Sequence, residues 1–227
     1  MAEQAQKTKD LVLNEVESKK LLRDAGIPVV EARLAGTKAE AVAISRELGF
    51  PVVLKIISPD IIHKSDIGGV KLGLENAAQV GRAYSEMTAV IKKRMPRAKI
   101  EGVSVQRMAP EGVELIIGMN HDTQFGPVMM FGLGGVLVEV LKDVSFRLVP
   151  LTRRDAAEMV REIKGFALLE GYRGRKPVDI SRLEGVIVQV SDFIEKNPRI
   201  RELDLNPLFA DGKNIVAADA RIVLAAE

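Results

Sequence analysis

Apolar residues recur at helical spacing from Leu11 to Gly26, and the pattern stops at Gly26 and Pro28, a glycine and a proline that helices do not continue through. Val29 to Leu34 reads as a strand. Thr37 and Glu40 form a capping box for a helix ending near Gly49. An apolar run at 52–57 and a second at 70–74 read as strands, and Asn76 caps a helix to about Arg94 with Val80, Met87, Val90 and Ile91 inward. The second half changes character. Ile100 to Met108, Gly112 to Met119, Gly126 to Phe131, Val136 to Leu141 and Ser145 to Pro150 read as successive strands. Thr152 and Asp155 open a helix to about Lys164, and Asp179 caps another whose Ile180, Leu183, Val186, Ile187, Val190, Phe193 and Ile194 share a face. Two strands, Ile200 to Phe209 and Ile215 to Leu224, close the chain. Strands and helices mixed in this way predict an α+β architecture of two lobes.

The connection 58–69 interrupts this regular pattern. It holds His63, one of only two histidines, and ends in Gly68-Gly69. Connections of about a dozen residues inside a compact domain are uncommon and tend to be functional or disordered. Lys55 sits within the apolar run before it. A buried ammonium needs a counter-charge, which a nucleotide phosphate can supply; the other reading is a lysine snorkelling from an edge strand. Gly68 and Gly69 allow backbone amides to approach an anion, or they merely make a turn. Gly132-Leu133-Gly134-Gly135 is similarly open, since no Walker or GxGxxG spacing is present. His63 could be a surface residue, a ligand, a base or a nucleophile. With no cysteine and only His121 besides, a multi-histidine metal site is excluded. Imidazole on a long loop beside a nucleotide suits covalent phosphoryl transfer.

Asp204-Leu205-Asn206-Pro207-Leu208 and Ala217-Ala218-Asp219-Ala220-Arg221 flank the turn Asp211 to Asn214. If Gly212-Lys213 is a two-residue loop, Asn206 faces Asp219 and Asp204 faces Arg221; if the loop is Asp211-Gly212, Asp204 faces Asp219. Either register puts Asp204, Asn206 and Asp219 on one face. Hard oxygen donors of this kind suit Mg²⁺ when it also binds phosphates. A solvated surface hairpin is the plainer reading, and the apolar neighbours of these residues argue against it.

The 227 residues are 47% hydrophobic and 28% charged with a net charge of +2, which suits one large domain or two small ones. Basic and acidic residues are interspersed and aromatics are 4%, which disfavours nucleic-acid binding by charge and stacking. Cysteine is absent, excluding disulfides and thiolate chemistry. Met1 to Asp10 lacks the apolar core of a signal peptide, and no apolar run reaches the ~20 residues of a membrane span. The expected address is the cytoplasm.

His63-Lys64-Ser65-Asp66-Ile67-Gly68-Gly69-Val70, Gly132-Leu133-Gly134-Gly135 and Glu202-Leu203-Asp204-Leu205-Asn206-Pro207-Leu208 together resemble an ATP-grasp domain. The resemblance, from about Leu13 to Leu224, is to the beta subunits of ADP-forming acetyl-CoA synthetases, relatives of succinyl-CoA synthetase. It implies an ATP-grasp fold holding ATP or ADP between two α+β lobes: an extension at 1–12, a first lobe at 13–104 with the phosphohistidine loop 58–69, and a second lobe at 105–227. It further implies Lys55 on the nucleotide phosphates, Gln106, Arg107 and Met108 near adenine, Glu114 near the ribose, Asn206 and Asp219 as Mg²⁺ ligands, and Asp204 meeting the phosphohistidine. Arg147 is expected as a cation near the transferring phosphate. His63 is expected to relay the phosphoryl group to ADP. No CoA-binding Rossmann domain is recognisable, so the resemblance implies a CoA-binding alpha subunit as partner, in an α2β2 complex. A self-contained ATP-grasp carboxylate–amine ligase and a non-catalytic nucleotide-binding module are the competing expectations.

Overall fold

The computed structural model describes residues 10–61, 64–135, 142–172 and 176–226. His63 and the expected strand 136–141 lie outside the described residues. Two antiparallel sheets organise the chain. The smaller has four strands in the order β2-β5-β3-β4: β2 (Ala32–Ala35), β5 (Gly102–Arg107), β3 (Val52–Ile57) and β4 (Val70–Leu74). Helices α2 (Lys38–Leu48) and α3 (Ala77–Arg94) cover one face, where Val52, Leu54, Ile56, Val103 and Val105 meet Ala41, Val80, Met87 and Ile91 in one core. Thr37 and Asn76 cap these two helices as expected, each accepting from the backbone N–H three residues on.

The larger sheet has seven strands. It runs β1 (Leu11–Leu13), β11 (Arg221–Leu224), β9 (Ile200–Asp211), β6 (Val113–Asp122), β7 (Gly126–Leu133) and β8 (Val144–Leu148), with β10 (Asn214–Ala217) also paired to β9. Helices α4 (Arg153–Glu162) and α5 (Ile180–Lys196) cover one face. Their inward residues, among them Met159, Val160, Leu183, Ile187 and Val190, pack with Leu115, Ile117, Met129, Phe131, Leu203 and Leu205. Each such fully buried apolar side chain contributes about 1.5–3 kcal/mol relative to exposure.

Three expectations change. The N-terminal run is not one helix: Leu11–Leu13 pairs with β11, and Asn14 then caps α1 (Glu15–Asp24) in a capping box with Glu17. Strand pairing at the edge of the large sheet outcompetes the local helical pattern. Because Leu22 and Ile27 also belong to the large-sheet core, residues 11–27 pack with the second lobe although they precede the first. Residues 105–107, placed in the second lobe by sequence, complete β5 of the small sheet. Finally, the expected strand from Ile215 to Leu224 is broken at 218–220 into β10 and β11.

Candidate active site

The small sheet turns its second face, with Lys55 on β3 and Ser104 and Gln106 on β5, toward the N-terminus of α1 and the 218–220 break. Lys55↔Ser104 and Val53↔Gln106 are cross-strand partners, so all these side chains share that face. Lys55 is 6% exposed and lies on an interior strand, paired on both sides, so the snorkelling reading does not hold. Its counter-charges are carboxylates of the protein itself: Nζ lies 2.7 Å from Glu15 Oε1 and 3.0 Å from Asp219 Oδ2, and it donates to the Ala218 carbonyl at 2.9 Å.

Glu15 is the centre of this cluster, and the sequence reading missed it. One Glu15 carboxylate receives Lys19 (2.8 Å) and Lys55 on Oε1, and Lys64 (3.4 Å) and the Ser104 hydroxyl (3.3 Å) on Oε2. Lys19 also donates to Gln106 Oε1 and to the Ala218 carbonyl at 2.7 Å, and Gln106 Nε2 adds a third bond to that carbonyl at 3.2 Å. Each buried ammonium thus spends all three of its donors. The Ala218 carbonyl can take this load because the strand break frees it from the ladder. The signal was legible: Glu15, Ser18, Lys19 and Leu22 stand at i, i+3, i+4 and i+7, a buried stripe with three polar members.

Burial alone would push the Glu15 carboxyl up, but the charges of Lys19, Lys55 and Lys64 and the Lys19 hydrogen bond overturn that and hold it at about 2, against an ordinary 4.5. Burial likewise works against the Lys55 ammonium, yet Glu15 and Asp219 outweigh it and raise Lys55 above its ordinary value. Burial prevails at Lys19, which is lowered, with the neighbouring Lys55 adding to the effect.

The closing hairpin has the Gly212-Lys213 loop: Asn214 pairs with Asp211 and Arg221 with Asp204. Between β9 and β6 the register shifts opposite Ile116, so that Asp204 and Asn206 point away from the helix-covered core while Leu205 and Leu208 both point into it. Asp204, opposite Gly118, and Asn206 thereby share the face turned away from that core, and Asp219 in the 218–220 break lies near enough for its charge to act on Asp204. Burial, then the charge of Asp219 and to a smaller extent Glu202, push the Asp204 carboxyl up to about 6, against the opposing pull of Arg221. Two carboxylates and an amide oxygen are hard donors that fit Mg²⁺. Among the described residues no group of three His, Cys, Asp or Glu side chains is gathered closely enough to hold a metal ion.

The remaining candidates divide. Gln106 is buried within the cluster, whereas Arg107 and Met108 emerge exposed at the end of β5, with the Met108 N–H donated to the Pro51 carbonyl at 3.0 Å. Glu114 lies exposed on β6 against Gly135, where an added Cβ would come within 2.7 Å of its carboxylate. Gly68 and Gly69 do not offer free amides: their N–H groups are donated to the Ser65 (3.1 Å) and Lys64 (2.7 Å) carbonyls. They shape the turn, and a Cβ on Gly69 would stand 2.8 Å from both Ile56 Cγ2 and the Lys64 carbonyl oxygen. Arg147 is not brought to the cluster. It pairs with Met129, hence lies on the helix-covered face, and bonds Glu162 at 2.8 Å. No helix among the described residues is long and apolar enough to cross a membrane.

Comparison with known proteins gives this geometry a family. The ATP-grasp domain family matches residues 4–224. The chain is 48% identical to the beta subunit of ADP-forming acetate–CoA ligase I of Pyrococcus furiosus, over 96% of this chain and 94% of that one. It is 48% identical to ADP-forming acetate–CoA ligase I of Archaeoglobus fulgidus over 89% of this chain, spanning 30% of that longer protein. Structures of acetyl-coenzyme A synthetase 1 from Ca. Korarchaeum cryptofilum superpose closely. One, with coenzyme A and Ca-AMPCP, gives a TM-score of 0.91 at 50% identity, covering 94% of this chain and 93% of that one. A second carries a phosphorylated phosphohistidine segment in a site I orientation (TM-score 0.86, 48% identity, 94% and 93% coverage). A third holds Mg-AMPPCP with that segment pointing towards the nucleotide site (TM-score 0.82, 47% identity, 94% and 92% coverage). The chain belongs to the ATP-grasp family and, within it, to the beta subunits of the ADP-forming acetate–CoA ligases.

Proposed function

We propose that this chain is the nucleotide-binding subunit of an ADP-forming acyl-CoA synthetase, which turns acyl-CoA, ADP and phosphate into carboxylate, CoA and ATP. The observation that carries the reading is Lys55, a buried ammonium on an interior strand, set 3.0 Å from Asp219 at the junction of the two sheets. All three of its donors are taken in this structure, so a phosphate arriving there takes the ammonium by displacing Asp219, the partner at 3.0 Å that also sits in the candidate metal set. Lys55 holds the nucleotide phosphates, Arg107 and Met108 lie at the adenine end with Gln106 behind them, and Glu114 reaches the ribose. Asn206 and Asp219 would hold Mg²⁺, which when bound neutralises charge on the phosphates.

His63 carries the phosphoryl group. Transfer to ADP breaks its P–N bond and forms a P–O bond to the β-phosphate oxygen, and Asp204 receives and orients the departing imidazole. Positioning and charge neutralisation supply most of the rate in such transfers. Acyl-phosphate chemistry falls to a CoA-binding alpha partner, in an α2β2 complex in the cytoplasm. The longer Archaeoglobus relative supports that division, since this chain spans 30% of it. The two segment orientations in the Korarchaeum protein support a loop that travels.

Incubating the chain with Mg²⁺ and γ-³²P-ATP tests this reading. An acid-labile, base-stable label on the protein is expected. A self-contained carboxylate–amine ligase and a nucleotide-binding regulatory module both predict an unlabelled chain, so absence of label overturns the proposal.

A further inference from the structure

The loop from β3 to β4 is fastened on both sides of the histidine position. Before it, Ile61 is 5% exposed within the small-sheet core, and the Asp60 carboxylate accepts the Lys99 backbone N–H at 2.7 Å. After it, the Gly69 N–H closes a turn onto the Lys64 carbonyl and Ile67 packs against the same core. All of these contacts stay within the small lobe. Lys64 alone, among the described residues of the loop, forms an ion pair to α1, which packs with the large sheet: its Nζ lies 3.4 Å from Glu15 Oε2.

The three ammonium groups on Glu15 are unequal. Lys19 and Lys55 are close, at 2.8 and 2.7 Å, and buried, whereas the Lys64 side chain is 20% exposed and sits farther off. A partly exposed pair at that distance is weak and easily released. Its release leaves Glu15 still paired with two buried cations, so no carboxylate is orphaned when the loop departs. A fixed post that stays neutralised and a loop lysine that can come and go together make a reversible clasp.

We infer that Lys64 is a positioning residue for phosphoryl transfer: its pair with Glu15 docks the loop next to the Lys55 cluster, and the loop leaves by giving up that pair. The inference rests on the histidine relay proposed above. It is tested with Lys64→Gln, Lys64→Arg and the unaltered chain by two measurements. One is hydrogen–deuterium exchange of peptides covering 58–69; the other is the rate of labelling from saturating γ-³²P-ATP, with ATP affinity measured alongside. K64Q is expected to speed exchange and slow labelling by about two- to fivefold each, the range of one part-exposed ion pair, with ATP affinity unchanged and both effects reversed in K64R.

Exchange unchanged in K64Q overturns the clasp whatever the labelling shows. Faster exchange with labelling unaltered, or slower labelling that arises from weaker ATP binding or is not recovered in K64R, overturns the positioning role. If the unaltered chain takes no label, the relay fails, while the exchange measurement still decides the clasp by itself.

Discussion

Replacing Glu15 by alanine is expected to destabilise the chain by about 3–5 kcal/mol, the cost of leaving buried charge without its partner. Lys19 and Lys55 are both buried against that one carboxylate, and Lys19 has no other anionic partner within ion-pair distance among the described residues. Urea denaturation at neutral pH measures the effect; a loss below about 1 kcal/mol, the level of a surface pair, would contradict it. The pH dependence carries the same information. The Glu15 carboxyl is held at about 2 in the folded chain against an ordinary 4.5. A depressed carboxylate stabilises the fold fully above its unfolded value, and that contribution is lost as pH falls from about 4.5 toward 2. Glu15→Gln should therefore flatten the fall in stability across that window, and an unaltered acid slope would count against the assignment.

Replacing Lys55 by methionine removes the cation that faces both Glu15 and Asp219 while keeping most of the apolar stem on β3. Its expected effect is a fall of about 10²–10³-fold in nucleotide-dependent turnover, the scale on which a preorganised donor acts on transferring charge. Titration of Mg-ADP into the variant should show weakened binding as well, because Asp219 loses the ammonium at 3.0 Å that holds it. Lys55→Arg is not expected to restore activity. The planar guanidinium cannot reproduce three tetrahedral contacts, to Glu15, Asp219 and the Ala218 carbonyl. Wild-type affinity and turnover in K55M would remove Lys55 from the site.

The parts of the fold legible in the sequence were those written locally. Thr37, Asn76, Thr152 and Asp179 each cap the helix expected of them, because the signal is a single side chain meeting a backbone N–H three residues away. Counting across the closing hairpin left two registers, and the structure adopts the one with the Gly212-Lys213 loop and Asp204 opposite Arg221. What failed depends on distant partners. Leu11–Leu13 becomes a strand only because β11 offers it a free edge, 210 or so residues along the chain. Arg147, expected from the resemblance near the transferring phosphate, is put by the sheet register on the helix-covered face, beside Glu162.

The candidate site divides along the same line. Lys55 stood out because a charge inside an apolar run is conspicuous, and Asp204, Asn206 and Asp219 because a hairpin gathers them. Glu15 escaped because an acidic residue in a first helical turn is ordinarily exposed and favourable there, and Lys19 because a lysine one turn further on is ordinarily solvated. Only the projection of the buried stripe from Leu22 reveals them. Gly68 and Gly69 show the opposite error. A pair of glycines suggests an anion cradle, yet close packing against Ile56 and the Lys64 carbonyl explains Gly69 without a ligand.

The central claim is that His63 carries the phosphoryl group between a CoA-binding partner and the nucleotide held at Lys55. The most direct measurement is ATP formation from acyl-CoA, ADP and phosphate in a complex reconstituted with that partner, comparing His63→Asn with the unaltered chain. The account predicts that ATP formation falls to background in H63N while Mg-ADP binding is unchanged; undiminished ATP formation in H63N would contradict it.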